Sequence, residues 1–261
     1  MIDCHTHIIP NIDDGSTSLE STVDALRQMV NGGIRSVICT SHYMRGLYQF
    51  KPETYQAKFR ELEAEIKHQS IPVTIYPGAE VFVTQGITDD IKANKLTLAD
   101  SSYVLIESDL NGFPPDFQKN IFTMLRAGYR PILAHAERYV PIMMKTHNAK
   151  ELINRSVYIQ INAASLVGGY GDKVKQTAWK LLNNGWVHFM GSDHHNKTDY
   201  KAFFQAKEKI TQHIDKETAE FLTQTHPQAI LNNTKVSYDY VIVYRDSRRR
   251  LPSKLFKSLR I

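Results

Sequence analysis

The chain has 261 residues, 42% of them hydrophobic, 10% aromatic and 23% charged, with 13 Gly, 10 Pro and two Cys. This globular composition excludes a disordered chain, a collagen-like repeat and a disulfide-stapled mini-domain. The formal net charge of +5 sits at one end: residues 245–261 carry seven basic side chains against Asp246, which leaves −1 for residues 1–244, so no nucleic-acid partner is expected for the body.

In chain order, the first predicted strand is Met1–Cys4. Asp3, His5 and His7 stand where a signal peptide would need a basic start and an apolar run. With Cys4 and Cys39 read as reduced thiols, the expectation is a cytoplasmic protein. A helix over 18–31 opens at Ser18 and stops at Asn31-Gly32-Gly33. Then follow a strand Ser36–Thr40, a helix over 52–67, and strands Val73–Tyr76 and Tyr103–Glu107. Behind Pro114-Pro115 comes a helix over 115–127, then strand Pro131–Ala134, helix 146–155 and strand Val157–Ile161. Helix 171–184 stops at Asn184-Gly185 before strand Trp186–Met190, and helices over 199–212 and 215–232 complete the run. Strand–helix alternation with short connections reads as βαβ units on a parallel sheet. About seven such units predict an α/β chain whose sheet is a closed or nearly closed barrel. Residues 236–244 read as extended, with docking on the body open, and the rest as a basic tail that is ordinarily a solvated terminus, its charge otherwise suiting an anionic membrane surface, nucleic acid or an acidic partner. Truncation after Tyr244 tests that role through membrane co-sedimentation.

Side chains able to bind metal recur at the strand ends. The first strand runs into His5-Thr6-His7, and alternation points both imidazoles to one side. Asp13-Asp14-Gly15 follows. Ser41-His42 ends the second strand, Gly78-Ala79-Glu80 follows the third, and Glu107 ends the fourth. His135 ends the fifth, with Glu137-Arg138 behind it, and Ser192-Asp193-His194-His195 ends the last. In a parallel barrel all these ends share one face, where active sites of this architecture are built. A single strand-end His is ordinarily just a satisfied polar group, but five of the eleven histidines fall at such ends. Five imidazoles (His5, His7, His42, His135, His195) and four carboxylates (Asp14, Glu80, Glu107, Asp193) are too many for one ion. Shared among three they suit Mn²⁺, Fe²⁺ or Zn²⁺, with Mg²⁺ compatible. Such sites run hydrolysis, and the spare positive charge favours a dianionic ester over a neutral amide.

These motifs, with Leu105-Ile106-Glu107 and Ala134-His135-Ala136-Glu137-Arg138-Tyr139, resemble the polymerase and histidinol phosphatase (PHP) superfamily. Within it they look like the CpsB/YwqE type of bacterial tyrosine phosphatase found at capsule and exopolysaccharide loci. The match runs from Met1 to about Asn233 in order. The resemblance implies a distorted (β/α)7 barrel of the PHP type over residues 1–233, with 234–261 as an extended segment and basic tail. It implies three divalent metals, usually manganese: one held by His5, His7, Glu80 and Asp193, a second by Glu80, Glu107 and His135, a third by Asp14, His42 and His195. It implies a catalytic set of Arg138, His42 and Asp193, with Arg138 binding phosphate and a metal-bridging hydroxide attacking phosphorus. An arginine common after the final D-x-H is missing from Asn196-Lys197-Thr198-Asp199-Tyr200-Lys201. Arg45 or Lys197 would then complete the substrate clamp. The implied substrate is phosphotyrosine on a partner tyrosine kinase of polysaccharide synthesis. That places the protein near the inner face of the membrane, and homo-oligomers are compatible with the resemblance.

Other readings share some of these residues. Cys39 to Arg45 has the C-x₅-R spacing of cysteine-dependent phosphatases, but its loop lacks an internal glycine and places His42 mid-loop. An amidohydrolase also opens with H-x-H, but commonly carries a carboxylated lysine where this chain has Glu107. A small-molecule phosphatase, for example on histidinol phosphate, would use the same ligands. A purely regulatory binder is disfavoured, because clustered carboxylates without metal repel one another.

Overall fold

The computed structural model describes residues 1–195 and 200–238. Among these, seven strands form one sheet in chain order: β1 (Ile2–Thr6), β2 (Ser36–Tyr43), β3 (Thr74–Phe82), β4 (Tyr103–Glu107), β5 (Arg130–Leu133), β6 (Tyr158–Asn162) and β7 (Phe189–Gly191). Every neighbouring pair is parallel. The ring nearly closes where Thr6 bridges His194, with Asp193 N donating to His5 O and His7 N to His194 O, both at 2.9 Å. The fold is α/β, a distorted (β/α)7 barrel.

The strands are almost continuously apolar because both faces are covered. On β4, Val104 and Ile106 pack outward with Leu26, Leu62 and Ile121 of the surrounding helices. Leu105 turns inward to Cys4, Ile38, Ile132 and Phe189. The helices are α1 (Leu19–Asn31), α2 (Pro52–His68), α3 (Ile87–Asn94), α4 (Phe117–Arg126), α5 (Val140–Met144), α6 (His147–Asn154), α7 (Ala163–Val167), α8 (Asp172–Asn183), α9 (Lys201–His213), α10 (Lys216–Glu220) and α11 (His226–Leu231). Helix α1 starts where Ser18 Oγ accepts the Ser21 N–H at 3.1 Å, a side-chain N-cap. Helix α2 buries Tyr55, Phe59, Leu62 and Ile66, one stripe at helical spacing.

Three differences from the sequence expectation bear on the site. β2 and β3 run three and six residues further than predicted, so His42 and Glu80 lie inside paired strand, directly in register. Helix α3 was not expected: its eight residues bury only Ile87 and Ile91, too short a stripe to stand out. The helix predicted over 215–232 is divided into α10, a π-helical turn at Phe221–Thr225, and α11 with Pro227 in its first turn. A proline there removes a backbone donor, and the widened turn accommodates it.

Residues 234–238, the start of the segment whose docking on the body the sequence left open, close the barrel floor. Tyr103 and Tyr158 donate to Thr234 O (2.8 Å) and Val236 O (2.6 Å), and the Tyr238 ring stacks on Tyr158 at 4.3 Å. Residues 239–261, with the remainder of the extended segment and the whole basic tail, lie outside the described residues.

Two buried histidines fasten this floor. His188 Nδ1 accepts the Ile159 N–H (3.0 Å), so its Nε2 donates to Tyr238 O (3.1 Å), while His226 Nδ1 donates to His188 O (2.8 Å). Burial pushes His226 down to about 4. Between pH 6.5 and 4 the unfolded chain therefore takes up a proton that the folded one refuses. Stability on this account is intact above pH 6.5 and falls with acid by about 3 kcal/mol. His226→Asn, which keeps an N–H donor, should remove that increment. The check is the difference between urea midpoints at pH 7 and pH 4.5 in the two proteins.

Candidate metal centre

The C-terminal ends of the strands bring all nine predicted ligand residues into one cluster. His5 and His7, on the same side of β1, place their Nε2 atoms 3.1 Å apart. Glu80 Oε2 lies 3.2 Å from His5 Nε2 and 3.3 Å from His7 Nε2, and Asp193 Oδ1 lies 3.3 and 3.4 Å from the same atoms. Ligand bonds of about 2.0–2.2 Å to a single ion separate neighbouring donor atoms by roughly 3.0–3.5 Å. These four donors have that spacing. A second group forms where His42 Nδ1 faces Glu107 Oε1 (3.1 Å) and Glu80 Oε2 (3.3 Å). His135 Nε2 approaches from the other side, 2.9 Å from Glu80 Oε1 and 3.8 Å from Glu107 Oε2. The third gathers Asp14 Oδ1, His42 Nε2 (3.6 Å) and His195 Nε2 (3.5 Å), with His7 adjoining. His42 thus turns both ring nitrogens toward carboxylates of different groups, a bridging position the sequence did not suggest. Its buried Nδ1 makes no hydrogen bond although two carboxylates stand within 3.3 Å, a polar atom left open for another partner.

The electrostatics fit divalent cations. Burial disfavours a charged His5 ring, yet Glu80 and Asp193 outweigh it and raise its pKa to about 9; His7 is held well above the usual range by Asp13, Asp193 and Glu80 against its burial. Burial opposes ionisation of Glu80 and Asp193, but the surrounding imidazoles hold both well below the ordinary carboxylate range. Two of the candidate ligands, His135 (φ 36°) and Asp193 (φ 54°), occupy left-handed backbone that side chains avoid, a strain that concentrates at functional sites.

Sequence reasoning missed the residues that aim the ligands. Asp13 Oδ2 pairs with His7 Nδ1 at 2.8 Å, fixing that ring, and accepts the His42 backbone N–H at 2.8 Å, holding the strand that carries His42; its own carboxyl falls to about 2 because His7 outweighs burial. Gln160 Oε1 holds His5 Nδ1 (3.2 Å) and the His135 N–H (2.8 Å). Asp3, fully buried under the cluster, accepts the His5 and Ser192 N–H groups and the Tyr200 hydroxyl. Asn162 donates to Asp193 Oδ2 at 2.6 Å, which leaves Oδ1 for the cluster. Gly15 and Gly191 admit this packing: a Cβ at either would stand 2.5 Å from the Cβ of His7 or His5. Carboxylates that orient ligand imidazoles typically contribute 10–100-fold in metal affinity, so Asp13→Asn should weaken binding by about that factor in a metal titration.

Above the cluster opens a cleft of about 450 Å³, lined by all of the cluster's residues except His5 and His7, together with Arg138, Tyr170, Leu110, Ala163 and Phe203. The chain matches the family model for capsular polysaccharide synthesis, CpsB/CapC, over residues 1–232. The chain belongs to the CpsB/CapC family. Among curated proteins it resembles the tyrosine-protein phosphatase YwqE of Bacillus subtilis, 30% identical over 75% of this chain and 78% of that one. It also resembles the tyrosine-protein phosphatase CpsB of Streptococcus agalactiae, 29% identical over 89% and 99%. Among solved structures, a chain from the metal-dependent tyrosine phosphatases YwqE of Bacillus subtilis and CpsB of Streptococcus pneumoniae superposes with a TM-score of 0.85. It is 27% identical over 91% of this chain and 96% of that one.

Not every predicted substrate contact sits at the mouth of this CpsB/CapC barrel. Arg138 lines the cleft, its Nη1 3.4 Å from Asp193 Oδ2. Arg45 does not line it. Its guanidinium grips Asp90 of α3 through two 2.7 Å bonds and also donates to Gln85 O and Gly86 O, so a helix the sequence did not reveal takes its donors. Lys197, the other candidate, lies outside the described residues. Cys39 is wholly buried within β2, where burial pushes its thiol upward, so the C-x₅-R pattern forms no thiolate site. No helix among the described residues is long and apolar enough to cross a membrane.

Proposed function

We propose that the chain is a metal-dependent protein-tyrosine phosphatase acting on a phosphorylated tyrosine kinase of capsule or exopolysaccharide synthesis. The observation that carries this reading is the set of four donor atoms 3.1–3.4 Å apart beneath an arginine-rimmed cleft. It is supported by relatives that bear the name tyrosine-protein phosphatase. Three ions, with Mn²⁺ expected, would be held by His5, His7, Glu80 and Asp193; by Glu80, Glu107, His135 and the Nδ1 side of His42; and by Asp14, His42 and His195. Bound there, they would supply an ionised water as nucleophile near neutral pH and offset charge on the phosphoryl oxygens.

The chain's own groups do the rest. Arg138, held beside Asp193, presents its guanidinium to the non-bridging oxygens of the monoester. Asn162 and Arg138 share Asp193 Oδ2, which keeps the carboxylate from turning and steadies the arginine. Leu110, Ala163 and Phe203 shield one side of the leaving group from water. A phenol has a pKa of about 10, so its departure demands less protonation than that of an alkoxide, in keeping with a cleft where His42, His135 and His195 face carboxylates.

The test is hydrolysis of a phosphotyrosine peptide and of histidinol phosphate, with and without chelator, with Mn²⁺ restored, beside Cys39→Ser. Loss with chelator, rescue by Mn²⁺, an unimpaired Cys39→Ser and a strong peptide preference support the proposal. Chelator-resistant activity, or preference for histidinol phosphate, overturns it.

A further inference from the structure

The turn between α7 and α8 reads Gly168-Gly169-Tyr170-Gly171 and holds one large aromatic side chain at the mouth of the cleft. It is a closed turn. Gly169 N donates to Ala164 O (2.9 Å) and Gly171 N to Gly168 O (3.1 Å), while Gly168 (φ 98°) and Gly171 (φ 88°) adopt left-handed backbone. The Tyr170 ring lies over Arg138, with the guanidinium carbon 4.6 Å from the ring centre, and its phenol sits beside the Asn162 amide. Yet 39% of the residue remains exposed, an unusual share for an aromatic ring this well anchored.

We infer that Tyr170 is the specificity-determining residue for an aromatic leaving group, offering its open ring surface to the aryl ring of the substrate. This rests on the function proposed above. A phosphoryl group held by Arg138 has its ester substituent one oxygen away, and the ring covering Arg138 is the aromatic surface beside it. Offset or edge-to-face pairs form at centroid separations of about 4.5–7 Å, so the substrate ring needs no shift of Tyr170 to engage it. A serine or threonine ester presents no ring and gains nothing from it.

A purely structural alternative is that Tyr170 only props Arg138. The two roles separate by ligand. Titration calorimetry on the metal-loaded full chain would compare phenylphosphonate with methylphosphonate for the wild type, Tyr170→Phe and Tyr170→Ala. An aromatic contact of this kind amounts to about two- to twelvefold in affinity. Tyr170→Ala should lose that much of the phenyl preference, over and above any weakening shared with methylphosphonate, and Tyr170→Phe should keep it. Equal weakening of both ligands, or an unaltered preference in Tyr170→Ala, overturns the inference. A wild type that prefers phenylphosphonate but does not hydrolyse phosphotyrosine peptide counts against the proposed function while sustaining this role for Tyr170.

Discussion

Glu80→Gln is expected to lower kcat/KM on a phosphotyrosine peptide by about 10³-fold or more, and to reduce bound metal measurably by elemental analysis. Glu80 sits at the junction of the cluster: one oxygen is within 3.3 Å of His5, His7 and His42, and the other is 2.9 Å from His135. Gln keeps the shape but removes the negative charge and replaces one oxygen with an amide donor. Two of the three donor groups lose a member at once. Because His5 owes its raised pKa first to Glu80, the substitution also leaves buried imidazoles without their counter-charge. Circular dichroism at neutral pH should confirm a folded barrel, which separates lost metal from lost structure. Activity within tenfold of wild type would show that the cluster is not the reaction centre.

Arg138→Ala should reduce kcat/KM by about 10²-fold while leaving metal content unchanged, since the arginine touches Asp193 only through the oxygen turned away from the cluster. Arg138→Lys should recover only part of the loss. A planar guanidinium can bind two phosphoryl oxygens together, rest on the Tyr170 face and reach Asp193, whereas an ammonium offers a point charge. Equal kcat/KM in the Lys variant and the wild type would show that charge alone suffices.

The clustering of the nine candidate ligands was legible because strand alternation and barrel topology are both simple periodic rules. Two residues apart on β1 means one side, and parallel strands deliver their C-terminal ends to one face. What aims those ligands was not legible. Gln160 reaches His5 across 155 positions, Ser192 reaches Asp3 across 189, and Asn162 meets Asp193 across 31. In sequence each is one polar residue in or just after a strand, as consistent with solvent as with a buried network. Asp13 and Asp14 are adjacent and chemically identical. Only the path of the loop turns Asp13 back onto His7 Nδ1 and leaves Asp14 near His42 and His195. Arg45 failed for the same reason: the partner that occupies it lies on a helix with too few apolar positions to be seen. Tyr170 had a local signal in the glycines around it, but glycine marks a turn without saying what the turn displays.

The barrel meets itself at a narrow seam. β1 and β7 are joined by backbone links that all fall within residues 5–7 and 193–194, the stretch that also carries His5, His7 and Asp193. A cation held by those three side chains would lace the first strand to the last, so the proposed reaction centre would also buckle the hoop. Occupancy and closure are then linked quantities: each tenfold excess of ion over its dissociation constant adds about 1.4 kcal/mol to the closed ring. Amide exchange at His7 and Asp193 should register the unbuckling before any other part of the wall loosens.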